Sequence, residues 1–393
     1  VSADEFLKAQ QDVGQASRPR RQHPTGWEPG VDTARGVITV EAGDSPPSDW
    51  SAIIREFSLD PEQWTVDESY PVQVRTWDAG DRRCFYYRAT LKPLRSPVSP
   101  DVDALVSRIM RRRISPPAAS EGVSRALVVA LSDWQAGKSD HGGAEALIER
   151  LMRLRQAVPA RVRQLKKAGV TIDRLYVVGM GDLVEGCDGH YAQQTFSVEL
   201  DGRQQVKLVR RVLVELLTDW AKLAPQVIVA AVPGNHGENR RGGKSFTTFE
   251  DNSDLAVVEQ VGEILGANPD AFGHVRFVIA DGDMTLTLDV AGTVVAFAHG
   301  HQARGGGTPQ QRLARWWRDK AQTRHRVGDA DVLVTGHYHH LQVVQDGPRT
   351  WFQCPALDGG SRWWEEQGGA TTACGTLTFV CDAEGWDHVK VLR

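Results

Sequence analysis

Five short polar clusters in this chain contain the residue types that chemistry needs: Asp133-Trp134-Gln135, Gly181-Asp182, Gly234-Asn235-His236, His299-Gly300-His301 and Gly336-His337-Tyr338-His339. Each follows an apolar run that reads as a buried strand. Each also has Gly at or near the turn, where a close backbone approach or a positive φ is useful. Carboxylates, an amide and imidazoles converging from separate strand ends form a mixed oxygen and nitrogen ligand set for divalent cations. Two carboxylates with three or four imidazoles exceed what one ion needs, so two metal ions are the natural expectation. Taken singly, each cluster has an ordinary reading: "GDL" is a common turn, and "GHYH" merely places two imidazoles on one side of an extended segment. The ordered set of five carries the signal.

The elements that must position these residues can be read from periodicity. "LVVALS", "RLYVVGMGD" and "QVIVAAVPGNH" are predicted strands, separated by the helical stretches "GGAEALIERLMRLRQAVPARVRQLKKAG", with a break expected at Pro159, and "DGRQQVKLVRRVLVELLTDWAKLA". Strands alternating with helices imply parallel βαβ units, whose ligands gather outside the carboxyl ends of the strands. After Phe272 the texture changes to successive strands ("VRFVIA", "MTLTLDV", "TVVAFAHG"), then a helix at "PQQRLARWWRDKAQ", then further strands to the end. Residues 1–48, rich in Pro, Gly, Arg and Asp, are expected to be a poorly ordered arm. Residues 49–120 read as a small α+β accessory module with a linker ("SPVSP"), and 121–393 as the catalytic domain. In the module, "SDWSAIIREFSL" reads as a helix capped by Ser48 or Asp49, and "YPVQVRTWD" and "RCFYYRATLKPL" as paired strands.

The order D-x-Q, G-D, G-N-H, H, G-H-x-H resembles that of the calcineurin-like metallophosphoesterase superfamily over residues 126–360. Its layout looks closest to phage-type members and the double-strand-break-repair nuclease branch. The resemblance implies a four-layer α/β/β/α sandwich. It implies that Asp133 and His339 ligate a first ion, that Asn235, His299 and His337 ligate a second, and that Asp182 bridges both. It implies further that His236 is the catalytic histidine and that the nucleophile is a hydroxide activated by the metal. Two divalent ions are implied, Mn²⁺ foremost, with Fe, Zn, Ni and Mg as alternatives.

Gln135 departs from the family, which has a His there. It could bind through its amide oxygen and bias the site towards Mn²⁺, or hold a metal-bound water. Alternatively the first site is weak and the protein works with one tightly bound ion. Gly237 is a second departure, since the family often has an acid after the catalytic His; Glu238, one position later, is a candidate to orient His236.

Around these clusters lie candidate substrate residues. Arg240, Arg241 and Lys244 follow the catalytic loop, and His301 and Arg304 sit on the next one; guanidinium groups suit phosphate oxygens. His190, with Glu185, Asp188 and Tyr191, belongs either to the substrate rim or to an ordinary exposed loop. The runs "RIMRRR" and "RLMRLRQAVPARVRQLKK" could contact a nucleic-acid backbone or simply form solvated helix faces. Trp316-Trp317 and Trp363-Trp364 could stack on bases, though burial of one member of each pair is the simpler expectation. His340 is expected to be structural.

Bulk composition narrows the classes. The 393 residues are 41% hydrophobic and 24% charged, as in an ordinary globular protein. With 50 acidic against 46 basic residues the net charge is −4, so any nucleic-acid surface must be a local patch. No apolar run is long enough for a membrane span, and the start lacks the pattern of a signal peptide. Five scattered cysteines without a CxxC pair fit a reducing, cytoplasmic setting. The expected function is hydrolysis of phosphodiesters, with DNA or RNA as substrate. The alternatives are a phosphomonoesterase or small-molecule phosphodiesterase, and a non-catalytic binding protein on the same fold.

Overall fold

The structure is a computed structural model that describes residues 23–32, 36–61, 64–79, 82–93, 102–191, 194–361, 365 and 373–393. The chain divides into two compact units, Val1–Ser99 and Pro100–Arg393.

The smaller unit contains β1 (Gly30–Asp32), β2 (Val37–Ala42), α1 (Trp50–Glu56), β3 (Trp64–Val66), β4 (Gln73–Ala79) and β5 (Arg82–Pro93). The long β5 is the organiser, pairing antiparallel with β2, β3 and β4. Asp49 caps α1, accepting from the Ala52 N–H at 3.1 Å, as the sequence predicts. The expected arm is corrected in part: residues 30–42 supply two strands. Ile38 of β2 explains why, since it is buried with Ile54, Ala89 and Leu91 in one small core. Residues 1–22 and the "SPVSP" linker lie outside the described residues.

The larger unit opens with α2 (Val102–Met110). The sequence reading placed this segment in the accessory module. Here Leu105 and Ile109 join the core of the larger unit, and Asn268 Nδ2 donates to the Ile109 and Arg112 carbonyls at 2.8 and 3.1 Å. The boundary therefore falls near Ser99 rather than at residue 120.

Beyond it come β6 (Ala126–Leu131), α3 (Gly143–Lys167), β7 (Arg174–Gly179), α4 (Gly202–Trp220) and β8 (Gln226–Ala231). A short hairpin, β9 (Arg240–Arg241) and β10 (Lys244–Ser245), precedes α5 (Ser253–Gly266), α6 (Pro269–Phe272) and β11 (Val275–Ile279). The rest is β12 (Thr285–Val290), β13 (Thr293–Ala298), α7 (Pro309–Gln322), β14 (Val332–Thr335), β15 (Gln342–Asp346), β16 (Arg349–Gln353), β17 (Thr376–Asp382) and β18 (Gly385–Leu392). One sheet has the order β11-β8-β7-β6-β17-β18, with the first four strands parallel; the other runs β12-β13-β14-β16-β15. The second sheet is mixed: β13, β14 and β16 are mutually parallel, while β12 and β15 pair antiparallel at its edges.

Side-chain alternation along the strands builds four layers. On β6, Leu127, Val129 and Leu131 face a core shared with α3, α4 and α5, while Ala126, Val128 and Ala130 face the other sheet. Across that inter-sheet core stand Val295, Phe297, Val332, Val334 and Phe352. The second sheet turns Ala296, Leu333 and Trp351 outward onto Leu313 and Trp317 of α7. The result is the α/β/β/α sandwich.

The break expected at Pro159 does not occur: α3 runs through it. Proline removes the N–H that would bond the Arg155 carbonyl. That carbonyl instead accepts from the Trp220 indole N–H of α4 at 3.2 Å, so helix packing satisfies the group that proline orphans.

Candidate metal centre

All five clusters come together at one edge of the sandwich, because β6, β7 and β8 run parallel in one sheet, as do β13 and β14 in the other. The backbone leaves each strand sharply. Asp133, Gln135, Asp182, His337 and His339 all have φ between 44° and 73°, and they make up half of the described non-glycine residues with positive φ. Side chains rarely accept that conformation, and its concentration here marks a site over-determined by its surroundings. At Gly181 a Cβ would come within 2.7 Å of the Gly234 backbone and 2.8 Å of His299 Nδ1. Only glycine lets these loops meet.

Asp254, at the start of α5, ties the loops together. Its carboxylate accepts from the N–H groups of Asp182 (2.8 Å), Leu183 (2.9 Å), Val184 (3.3 Å) and Gly234 (3.1 Å). Burial and then the charge of Asp182 push its pKa up to about 6. Nothing in the strand-end pattern singled Asp254 out. Its only local signal is the helix-start string "DNSD", in which Asn252 is the cap.

The centre of the site is a set of acceptor atoms that face one another. Ligand atoms of Asp182, His299 and His337 lie within 4.8 Å of each other. His299 Nδ1–H donates to the Met180 carbonyl at 2.8 Å, which turns Nε2 toward Asp182 Oδ2 (2.8 Å) and Asn235 Oδ1 (3.2 Å). Apart from this approach of His299, the buried Asp182 Oδ2 meets no hydrogen-bond donor among the described residues. A carboxylate oxygen, an amide oxygen and an imidazole lone pair aimed at common ground fit a divalent cation. Burial, aided by the charge of His299, lowers the His337 pKa to about 3 and keeps that ring in the neutral form a ligand needs. Burial also opposes charge on His299, but Asp182 outweighs it and raises that pKa to about 9. The carboxylate that would hold an ion competes for a proton.

His236 stands beside this group. Its backbone N–H donates to Asp182 Oδ1 at 2.7 Å, and its Nδ1–H donates to the Glu185 carbonyl at 2.7 Å with Glu185 Oε2 at 3.4 Å. Burial works against its charge, yet Asp182 and Glu185 raise its pKa to about 9. Glu185 is fully buried and held by Tyr191 OH (2.8 Å) and Gln194 Nε2 (3.3 Å). Glu185 therefore orients His236. The alternative candidate, Glu238, is turned to Arg240 Nη2 at 2.9 Å.

Asp133, His339 and Gln135 line the other side. Asp133 accepts from the His337 N–H at 3.1 and 3.2 Å and from the Ser132 hydroxyl. His339 Nε2 lies 3.2 Å from Asp133 Oδ1 and its Nδ1 3.4 Å from Asp358 Oδ2. Gln135, expected as an oxygen ligand, spends its Oε1 otherwise, accepting from Lys138 Nζ at 2.9 Å. An ammonium only donates, so the oxygen must face it. Gln135 Nε2 lies 3.3 Å from His236 Nε2. Lys138 follows Gln135 by three residues in the same strand-end string, which assigns it no role, and Asp358, in "PALDGG", carries no local signal.

The substrate candidates divide. His190 stacks on His236 with ring centroids 4.2 Å apart and planes 7° off parallel. His301 is largely buried, 5.4 Å centroid to centroid from His299, with neither ring nitrogen hydrogen-bonded to a described residue and Nε2 3.7 Å from Glu238 Oε1. Arg240 does not point at open ground. It is pinned by Glu238 and donates to the Gly189 carbonyl at 3.3 Å. Arg241, Lys244 and Arg304 are exposed. His340 is structural, as expected: its Nδ1 donates to the Tyr338 carbonyl at 2.6 Å. Trp317 is buried and donates to the Val327 carbonyl, matching the expectation for its pair. Trp363 and Trp364 lie outside the described residues. No described helix is long and apolar enough to cross a membrane.

No family model matches the sequence, and no curated protein does. Several solved structures are similar to it at low identity. A single-substitution variant of Vps29 from Entamoeba histolytica is 14% identical over 68% of this chain and 99% of its own, with a TM-score of 0.31. A predicted phosphoesterase from Streptococcus pneumoniae TIGR4 is 13% identical over 66% and 86%, with a TM-score of 0.30. An archaeal phosphodiesterase is 12% identical over 68% and 99%, with a TM-score of 0.31.

Proposed function

We propose that this protein is a metal-dependent phosphoesterase that cleaves phosphodiesters of nucleic acid. The observation that carries the reading is the buried convergence of Asp182, His299 and His337 beside an oriented His236. A divalent cation, Mn²⁺ foremost, held by these residues and Asn235 would polarise the phosphoryl group and lower the pKa of water enough to supply a hydroxide near neutral pH. The other parts are the chain's own. Asp182 fixes the His236 backbone through Oδ1 and leaves Oδ2 for the cation. Glu185 holds Nδ1 of His236, so Nε2 is the atom that hands a proton to the leaving oxygen. In the neutral ring the same atom accepts from the Gln135 amide.

The preference for nucleic acid draws on the loops next to His236. The segment at Gly189 and the β9–β10 hairpin meet where Arg240 bonds Gly189, and Phe196 lies a few residues further along the chain. Between them they expose Phe196 (83%), Phe246 (64%), Arg241 and Lys244. Exposed aromatic faces with neighbouring cations suit stacked bases and backbone phosphates. The test is incubation with Mn²⁺ and end-labelled single- and double-stranded DNA and RNA, beside an Asp182→Asn preparation. Shortened products absent from the variant are expected. Intact polymers, from a preparation that still hydrolyses an aryl phosphate, would move the substrate to small phosphoesters. Loss of both activities in wild type would favour a non-catalytic binding protein.

A further inference from the structure

We propose that the site takes one divalent ion, and that the ammonium of Lys138 stands in for the second ion expected from the motif order. The inference rests on the reading above only in taking Asp182, Asn235, His299 and His337 as the ligands of that ion.

Three side chains were expected to serve the first ion besides the shared Asp182, namely Asp133, Gln135 and His339. Gln135 Oε1, the only atom of that side chain able to bind a cation, accepts from Lys138 Nζ at 2.9 Å. His339 has one nitrogen 3.2 Å from Asp133 and the other 3.4 Å from Asp358. Lys138 Nζ also meets Asp358 Oδ2 at 2.6 Å. The lysine thus bonds one expected ligand directly and reaches a second through a shared carboxylate. None of this is surface pairing: Gln135, Lys138 and Asp358 are each at least nine-tenths buried.

A full positive charge in this position does two things. It repels a dication brought in beside it, in surroundings where burial weakens screening. It also supplies, without a metal, part of the charge that a phosphoryl group would meet there. An ammonium has three donors, and the described residues take two of them, Gln135 and Asp358. The third meets no hydrogen-bond acceptor among the described side chains, and the contacts with Gln135 and Asp358 hold the ammonium in the site. The replacement is coherent in the sequence as well. Imidazole binds a metal through a lone pair but would offer a neighbouring ammonium less than an amide oxygen does, so a Gln at position 135 and a Lys at 138 belong together.

The test counts ions. Metal-free wild type is loaded with Mn²⁺, dialysed, and measured for bound manganese per chain, with the electron paramagnetic resonance spectrum recorded alongside. One ion per chain and a single-ion spectrum are expected. The double variant Gln135→His/Lys138→Met should take up a second ion and show an exchange-coupled pair. Two coupled ions in wild type would overturn the role of Lys138 and leave the phosphoesterase reading standing. No bound ion would overturn both. A folded double variant that stays at one ion would show that Lys138 and Gln135 are not what excludes the second. If circular dichroism shows that the double variant does not fold, the wild-type count still decides.

Discussion

The two sides of the site solve one electrostatic problem differently. On the side of Asp182, His299 and His337, acceptor atoms face one another and a buried carboxylate oxygen meets no described donor besides His299. On the side of Asp133, Gln135 and His339, the carboxylates already have cationic partners, Lys138 among them. One side faces its carboxylate with an imidazole that can exchange its proton for a metal ion; the other holds a lysine ammonium that cannot become a ligand while charged. The comparison teaches that matching ligand types at matching positions do not make matching metal sites. A residue three positions further on can change what a ligand is free to do.

Two substitutions would break or sharpen this contrast, and a third serves as its control. The largest effect belongs to the metal-facing side. His236→Ala should lower kcat on phosphodiesters by ~10²–10⁴-fold while leaving the bound manganese count unchanged, read by steady-state kinetics and metal analysis. If the ion count falls with the rate, His236 is holding the site together rather than moving a proton. Next is Asp358→Asn, which strands the buried Lys138 ammonium. Removing one partner of a buried pair costs about 3–5 kcal/mol, so urea unfolding of the metal-free protein should show a loss of that order. An unchanged midpoint would mean that the ammonium is not confined there.

The smallest effect lies in the other unit. Hydrogen bonds from Ser69 and Lys92 lower the Asp67 pKa to about 2. A lowered folded-state value means that its contribution to stability is present above the ordinary carboxylate pKa and fades as pH falls toward about 2. Asp67→Asn should therefore reduce the melting temperature slightly at neutral pH, with the difference from wild type shrinking in acid. A gap that persists at low pH would point to lost packing instead.

Much of the site was legible because strand ends announce themselves. A run such as "ALVVALSD" changes from buried apolar to polar at one residue, and five such changes in a fixed order leave few arrangements. One helix start was equally plain: Asp49, one of the two caps the pattern offers, caps its helix. What escaped the sequence depended on partners far along the chain. Pro159 looked like a break because the acceptor it frees is visible locally, whereas the Trp220 indole that satisfies it is 65 residues away. Arg240 looked ready for phosphate until folding placed the Gly189 carbonyl and Glu238 around it. Glu185 stands in a segment that fits either a substrate rim or an ordinary loop, yet it is the residue that orients His236.

The sequence by itself determined the alternation that makes two sheets share one core, and the polar residues that must emerge where the parallel strands stop. Those follow from the two-residue period of a strand and from the common direction of parallel strands, both local properties. Only the tertiary structure decided what each ligand does. Lys138 and Asp358 lie 220 residues apart, and whether Gln135 offers its oxygen to a metal or to an ammonium depends on the fold bringing that pair to it. A buried charge must be matched by whatever the packed chain places within hydrogen-bond reach, and local sequence does not encode that distance.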